Sequence, residues 1–68
     1  MKEQIVAKLH ELRALTAAKL IEAQSMLAIV DEAIVESASI EKASDAMMFL
    51  TNIMLKMEAV EEAVRREV

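Results

Sequence analysis

The sequence contains no glycine, no proline and no cysteine, and Phe49 is its only aromatic residue. Helix interiors reject glycine and proline by about 1 and about 3 kcal/mol relative to alanine, and the turns of β-sheets usually need one or the other. Their absence argues against a β-rich fold and excludes glycine-rich phosphate loops. Without cysteine there is no disulfide, and no Cys/His cluster offers a structural zinc site.

The residues that are present favour a helical fold that associates with itself. Alanine, glutamate, leucine, methionine and lysine dominate, and all are good helix formers. A disordered chain is usually more polar than one in which 56% of the residues are apolar. The 68 residues form at most one small domain. Because such a core supplies no more than about 3–5 kcal/mol, we expect a homodimer.

Apolar residues recur at helical spacing in both halves of the sequence. The first stripe consists of Ile5, Leu9, Leu12, Thr16, Leu20, Ala23, Leu27, Val30 and Ile34. The second stripe consists of Ala46, Leu50, Ile53, Met57, Val60 and Val64. These spacings predict one helix over about residues 2–36, a turn at 37–39 and a second helix over about 40–67. A three-helix alternative would break the first helix at residues 24–25.

The two stripes match when the helices are antiparallel. The numbers of the facing residues then sum to 76 or 77: Leu12 with Val64, Thr16 with Val60, Leu20 with Met57, Ala23 with Ile53, Leu27 with Leu50, and Val30 with Ala46. The sequence therefore predicts an all-α fold. We expect a single domain over residues 1–68, an antiparallel helical hairpin that dimerises into a four-helix bundle.

The turn is predicted at residues 37–39, with residues 44–45 as the alternative. The serines at 37 and 39 are expected to accept hydrogen bonds from free N–H groups at the start of the second helix. Glu41 is then expected in the first turn of that helix, and Arg65 and Arg66 in its last turn, where their charges favour the helix dipole.

Further apolar residues give each helix more apolar circumference than one partner helix can cover. Five of them are expected in the dimer core: Leu15, Met26, Ile29, Met47 and Met54. The second helix also carries an expected partner-binding surface, because flexible methionines suit adaptable contacts and acidic residues steer a basic partner. Its residues are Met48, Asn52, Leu55, Phe49, Glu58 and Glu62. For Phe49, a core or dimer anchor is the other expected role.

Catalytic and metal chemistry has little basis in the sequence. His10 is the only histidine, lies off the first stripe and is expected on the surface. No Ser–His–Asp arrangement and no Glu-x-x-His pair is visible. The acids at 58, 61 and 62 are expected to form a solvated helix face. We expect no enzyme activity, no cofactor and no metal.

Charge and hydropathy suggest which partners the protein has. The net charge is −4, of which residues 1–22 contribute +1 and the remainder −5. Nucleic-acid binding needs clustered basic residues, so a protein with a basic surface is the better match. The apolar run at residues 26–30 is far shorter than the roughly 20 residues of a membrane span. We expect a cytoplasmic location and no membrane contact.

In size, hairpin pattern, acidity and surplus apolar flanks (Met47, Met48, Met54, Leu55), the sequence resembles the small helical proteins that phages express to disable host regulators, including a quorum-sensing anti-activator. That resemblance implies a non-catalytic inhibitor that occupies a surface of a larger cytoplasmic protein, such as a transcription regulator or an ATPase. The layout is also similar to the plasmid-copy-number RNA-binding hairpin dimers, but the basic stripe of those proteins is lacking here. The alternatives are a structural oligomerisation module and an RNA-binding hairpin dimer.

Overall fold

The computed structural model describes residues 1–67 and shows two helices joined by a short connection. Helix α1 spans Lys2–Glu36, a 3-10 turn spans Ser37–Ser39, and helix α2 spans Ala43–Glu67. The two helices pack against each other as an antiparallel hairpin, and the molecule measures 62 × 18 × 12 Å. Within the described residues the fold is therefore all-helical. Helix α1 has the bounds that its apolar spacing predicts, whereas α2 begins three residues later than predicted.

The connection reverses the chain without any glycine. After the 3-10 turn, Ile40 takes an extended conformation with φ −88° and ψ 121°. Its amide nitrogen donates to the carbonyl oxygen of Ser37 at 3.1 Å. No residue in the described range has a positive φ, so the connection does not require the left-handed conformation for which glycine is favoured.

Ser37 and Ser39 cap the end of α1 and not the start of α2, so that expectation was wrong. The Oγ of Ser37 donates to the carbonyl oxygen of Ile34 at 2.6 Å, and the Oγ of Ser39 donates to that of Glu36 at 2.9 Å. The last carbonyls of a helix have no amide donors of their own. Because the connection continues as a 3-10 turn, both hydroxyls lie beside these carbonyls.

Helix α2 begins with a lysine in the capping position. The carbonyl oxygen of Lys42 accepts the first helical bond from the amide nitrogen of Ala46, at 3.0 Å. Asp45 occupies the first turn, where Glu41 was expected. The alternative turn at residues 44–45 lies inside this helix.

Replacing Lys42 tests this helix start. We expect Lys42→Ser to be more stable than Lys42→Ala by about 1 kcal/mol, because a serine hydroxyl can accept a bond from an N–H of the first turn and alanine cannot. Both variants remove the same charge, so their difference isolates the cap. Urea unfolding followed by circular dichroism measures it, and equal stabilities would contradict a helix start at Ala43.

Ion pairs within the described residues lie inside one helix and do not join the two. Lys8 pairs with Glu11 at 3.2 Å in α1, and Arg66 pairs with Glu62 at 3.3 Å in α2. Arg65 and Arg66 occupy the last turn of α2, as predicted. Exposed pairs at this spacing contribute only about 0.2–0.5 kcal/mol each. The contact between the helices therefore depends on apolar packing.

The face of α1 that packs on α2 is not the first stripe. Its half-buried or buried residues are Ala18, Glu22, Ser25, Met26, Ile29 and Ala33. On α2, five second-stripe residues are half-buried together with Phe49, namely Ala46, Ile53, Met57, Val60 and Val64, whereas Leu50 is exposed. The whole first stripe, from Ile5 to Ile34, is exposed. The predicted pairing of Leu12, Thr16, Leu20, Ala23, Leu27 and Val30 with α2 was therefore wrong.

The register of the hairpin also differs from the prediction. Ile29 and Ile53 line one cleft between the helices, and Ala18 and Val64 line another. The numbers of both pairs sum to 82, not to 76 or 77. One reason is that the connection contains six residues where three were predicted, which moves α2 along α1. Ala33, which is 9% exposed, lies near Ile53 in this contact.

Candidate protein-binding surfaces

The hairpin leaves most of its large apolar side chains exposed. All seven leucines are exposed, with exposed fractions from 44% to 61%. The accessible surface is 5997 Å², whereas a compact monomer of 7.6 kDa exposes about 4,300 Å². The radius of gyration is 17.6 Å, compared with about 11 Å for a compact chain of this length. Roughly 1,700 Å² more surface is therefore exposed than in a globular monomer.

The first of two exposed apolar surfaces is the first stripe itself. It runs the length of α1 with no charged residue among its nine members, and Leu20 and Leu27 are 58% and 61% exposed. The hydroxyl of Thr16 donates to the carbonyl oxygen of Leu12 at 2.8 Å, so its methyl group is what remains for an apolar contact. This free surface was missed by reasoning from the sequence. The available signal was that α1 is apolar on several sides, which is typical of a helix covered on more than one face.

The second surface, the α2 outer face, consists of Met48, Asn52 and Leu55. All three are exposed, Met48 at 68% and Leu55 at 56%. Their spacing of four and three residues places them together, on the side of α2 away from the half-buried residues that face α1. Beyond Leu55 the surface continues into a shallow depression lined by Glu58, Ala59, Glu62, Ala63 and Arg66.

The two glutamates expected to steer a partner have different surroundings. Glu62 lies 3.3 Å from Arg66, which offsets part of its charge. Within the described residues, no ion pair includes Glu58. Glu58 therefore contributes more of the negative potential beside the α2 outer face, an effect that salt screens because the residue is exposed.

Phe49 does not share the exposure of its neighbour Met48. It is half-buried on the side of α2 that packs on α1. A core anchor, one of its two expected roles, fits this placement, whereas a principal contact for a foreign partner does not.

The residues expected in the dimer core fall into two groups. Met26 and Ile29 are half-buried against α2, inside the hairpin. Leu15 is 44% exposed and lines a groove with Val64, while Met47 and Met54 are 66% and 62% exposed on α2. Because Met26 and Ile29 already fill the contact within one chain, only the second group offers free surface for a second copy.

No protein-family model, curated protein or solved structure matches this chain. Among the described residues, no three His, Cys, Asp or Glu side chains are placed to hold a metal ion, and His10 is exposed. Neither helix in the described range has an apolar segment long enough to cross a membrane. The two exposed apolar surfaces are therefore the features of the described residues that bear on function.

Proposed function

We propose that this chain is a non-catalytic protein-binding regulator that acts as a homodimer and inhibits a larger cytoplasmic protein, such as a transcription regulator or an ATPase, by occupying its surface. The observation that carries the proposal is the exposure of every leucine in a chain of 68 residues. Soluble proteins rarely expose so much contiguous apolar surface unless another molecule covers it.

The α2 outer face is the part that contacts the inhibited protein. Met48 and Leu55 supply affinity by burying apolar area, and unbranched methionine adapts to an irregular surface. The amide of Asn52 lies between them and can both donate and accept hydrogen bonds. Glu58 beside this face favours a basic partner surface and raises the rate of association more than the final affinity.

A paired substitution on the α2 outer face tests this function. We expect Met48→Asp/Leu55→Asp to abolish binding to the inhibited protein while the helices stay folded, because it places two charges in the apolar contact. Pull-down from an extract of cells that make or host the protein, followed by mass spectrometry, identifies the partner. Titration of the purified partner then measures affinity and inhibition.

The matched control is Ala28→Asp/Val35→Asp, which places two charges seven residues apart on an exposed side of α1. We expect this variant to bind and inhibit as the unchanged protein does. If it loses the partner while Met48→Asp/Leu55→Asp retains it, the α2 outer face is not the binding surface. If both variants retain full binding, neither the α2 outer face nor the Ala28 side of α1 contacts the partner.

A structural oligomerisation module is the second candidate function, and the exposed first stripe favours it. If self-association uses all the apolar surface, Met48→Asp/Leu55→Asp is expected to dissociate the oligomer or unfold it. Light scattering across a dilution series separates the two candidates. The remaining alternative, an RNA-binding hairpin dimer, has less support because Lys8 is paired with Glu11, and a gel shift at low salt tests it.

A further inference from the structure

Within residues 1–67, which the structure describes, α2 is shorter than α1, so the first residues of α1 have no described α2 residue beside them. Helix α1 has 35 residues and α2 has 25, a difference of about 15 Å at 1.5 Å per residue. The last described turn of α2 lies beside Ala14, Ala17 and Ala18. Residues 2–13, which we call the overhang, are all exposed, and a depression on this segment is lined by α1 residues alone.

The overhang carries the first residues of the first stripe. The spacing of the stripe is nearly the same when it is read in either direction, so two copies of it can pair when they run antiparallel. When two copies of the stripe run antiparallel, its members meet in pairs whose numbers sum to 39: Ile5 with Ile34, Leu9 with Val30, Leu12 with Leu27, and Thr16 with Ala23. Leu20 then lies beside Leu20 of the other copy, next to the two-fold axis. The small residues Thr16 and Ala23 form the pairs on either side of it.

The surface that this arrangement offers to the overhang is also apolar. Lys19 of α1 and Glu61 of α2 line the same groove between the helices. The two residues therefore mark the sides of α1 and α2 that lie on one face of the hairpin. Leu12 and Val30 lie on the Lys19 side of α1, two and three helical turns away. Met47, Leu50 and Met54 lie on the Glu61 side of α2 at whole-turn spacings of 14, 11 and 7 residues. The first stripe and this row of α2 therefore border one face.

In the antiparallel dimer, the row formed by Met47, Leu50 and Met54 lies beside the overhang of the second copy. The register of the hairpin places residues 47–54 of α2 beside residues 28–35 of α1. The pairing of the stripes places residues 28–35 beside residues 4–11 of the second copy. Each overhang therefore lies against the turn end of the other hairpin, where exposed Leu50 and Met54 can contact it.

Charge distribution favours the same orientation. The overhang holds three basic and two acidic residues, a net charge of +1 with His10 neutral. Residues 31–45 around the turn hold five acids and Lys42, a net charge of −4. An antiparallel dimer places the overhang of each copy beside residues 31–45 of the other, whereas a parallel dimer places the two acidic segments beside each other. Like charges at close range oppose association.

The exposed area fits a dimer as well. The excess of roughly 1,700 Å² per chain lies within the range of obligate homodimer interfaces, which bury about 1,000–2,500 Å² per partner. We propose that a second copy of this chain covers the first stripe in antiparallel orientation, with the overhang of each copy on the turn-end face formed by Val30, Ile34, Met47, Leu50 and Met54 of the other. This inference rests on the homodimer in the proposed function and specifies its interface.

Disulfide cross-linking tests the orientation, since the sequence has no cysteine. Under mild oxidation we expect Leu20→Cys to form a cross-linked dimer. We expect Leu12→Cys and Leu27→Cys to cross-link when mixed but not separately, because residue 12 lies about 22 Å from its own copy along the axis, beyond the reach of a disulfide. Met48→Cys is the exposed control and is expected to stay uncross-linked.

Sedimentation equilibrium tests whether the first stripe forms the dimer interface. We expect Leu20→Asp/Leu27→Asp to raise the dimer Kd by about 100-fold or more, whereas Met48→Asp/Leu55→Asp, with the same seven-residue spacing, keeps the Kd of the unchanged chain. Circular dichroism checks that both variants stay helical. If the first variant is unfolded, the cysteine result decides, because leucine to cysteine introduces no charge.

The outcomes separate this interface from the function on which it rests. A chain that is monomeric at every concentration overturns both the homodimer and the interface. A dimer that cross-links through Leu12→Cys alone is parallel and overturns the interface only. A dimer that forms no cross-link through Leu20→Cys and survives Leu20→Asp/Leu27→Asp uses another face, which also overturns the interface and leaves binding through the α2 outer face standing.

Discussion

Replacing Phe49 by alanine is expected to lower the free energy of unfolding by about 2 kcal/mol. Truncation of a fully buried phenylalanine costs about 3–5 kcal/mol, and Phe49 is half-buried in the contact between α1 and α2, so roughly half of that loss applies. A core of this size contributes only about 3–5 kcal/mol in total. The substitution should therefore remove a large share of what the contact between α1 and α2 contributes, and urea unfolding followed by circular dichroism measures the loss.

The matched control is the neighbouring substitution Met48→Ala. Because Met48 is 68% exposed on the α2 outer face, we expect a change within about 0.5 kcal/mol. Both variants are compared at one protein concentration, since the stability of a dimer depends on concentration. Equal losses for the two variants, or a larger loss for Met48→Ala, would show that α2 packs on α1 through a different face.

Enlarging Ala33 is expected to destabilise the hairpin by about 1–3 kcal/mol, the usual cost of adding methylene groups to a packed contact. Ala33 is the one buried residue in the described range, at 9% exposure, and it lies where the helices come together near the turn. Leucine there must push α1 and α2 apart or adopt a strained rotamer. The midpoint of urea unfolding of Ala33→Leu measures the loss.

Ala28→Leu is the control for the larger side chain itself. Ala28 is exposed on the same helix, and leucine is nearly as good a helix former as alanine. We expect its stability to stay within about 0.5 kcal/mol of the unchanged protein. If Ala33→Leu were as stable as this control, the tight packing of Ala33 between the helices would be contradicted.

The sequence was sufficient to predict α1 but not the start of α2. Apolar residues at helical spacing from Ile5 to Ile34, with no breaker among them, determine a single helix whose observed bounds are Lys2–Glu36. The segment after Ser39 has no glycine or proline to mark a helix start. Whether residues 40–42 are helical depends on backbone hydrogen bonds that the sequence pattern does not reveal. In the structure Ile40 is extended, so these residues are not part of α2.

The candidate surfaces were predicted in part. The exposure of Met48, Asn52 and Leu55 follows from the second stripe, because these residues lie across the helix from it, and the structure exposes all three. Phe49 and Leu50 were harder to assign because both lie near the edge of that stripe. A rotation of α2 by a fraction of a turn exchanges them, and the structure half-buries Phe49 and exposes Leu50.

By itself, the sequence determined that this protein is helical and folds back on itself, because it lacks helix breakers and repeats its apolar residues at close to 3.6 positions in two segments. Only the tertiary structure decided which faces meet. Helix α1 is apolar on several sides, so periodicity alone allows more than one packing face. In the structure, the face with Met26, Ile29 and the small Ala33 packs on α2, and the first stripe is left exposed.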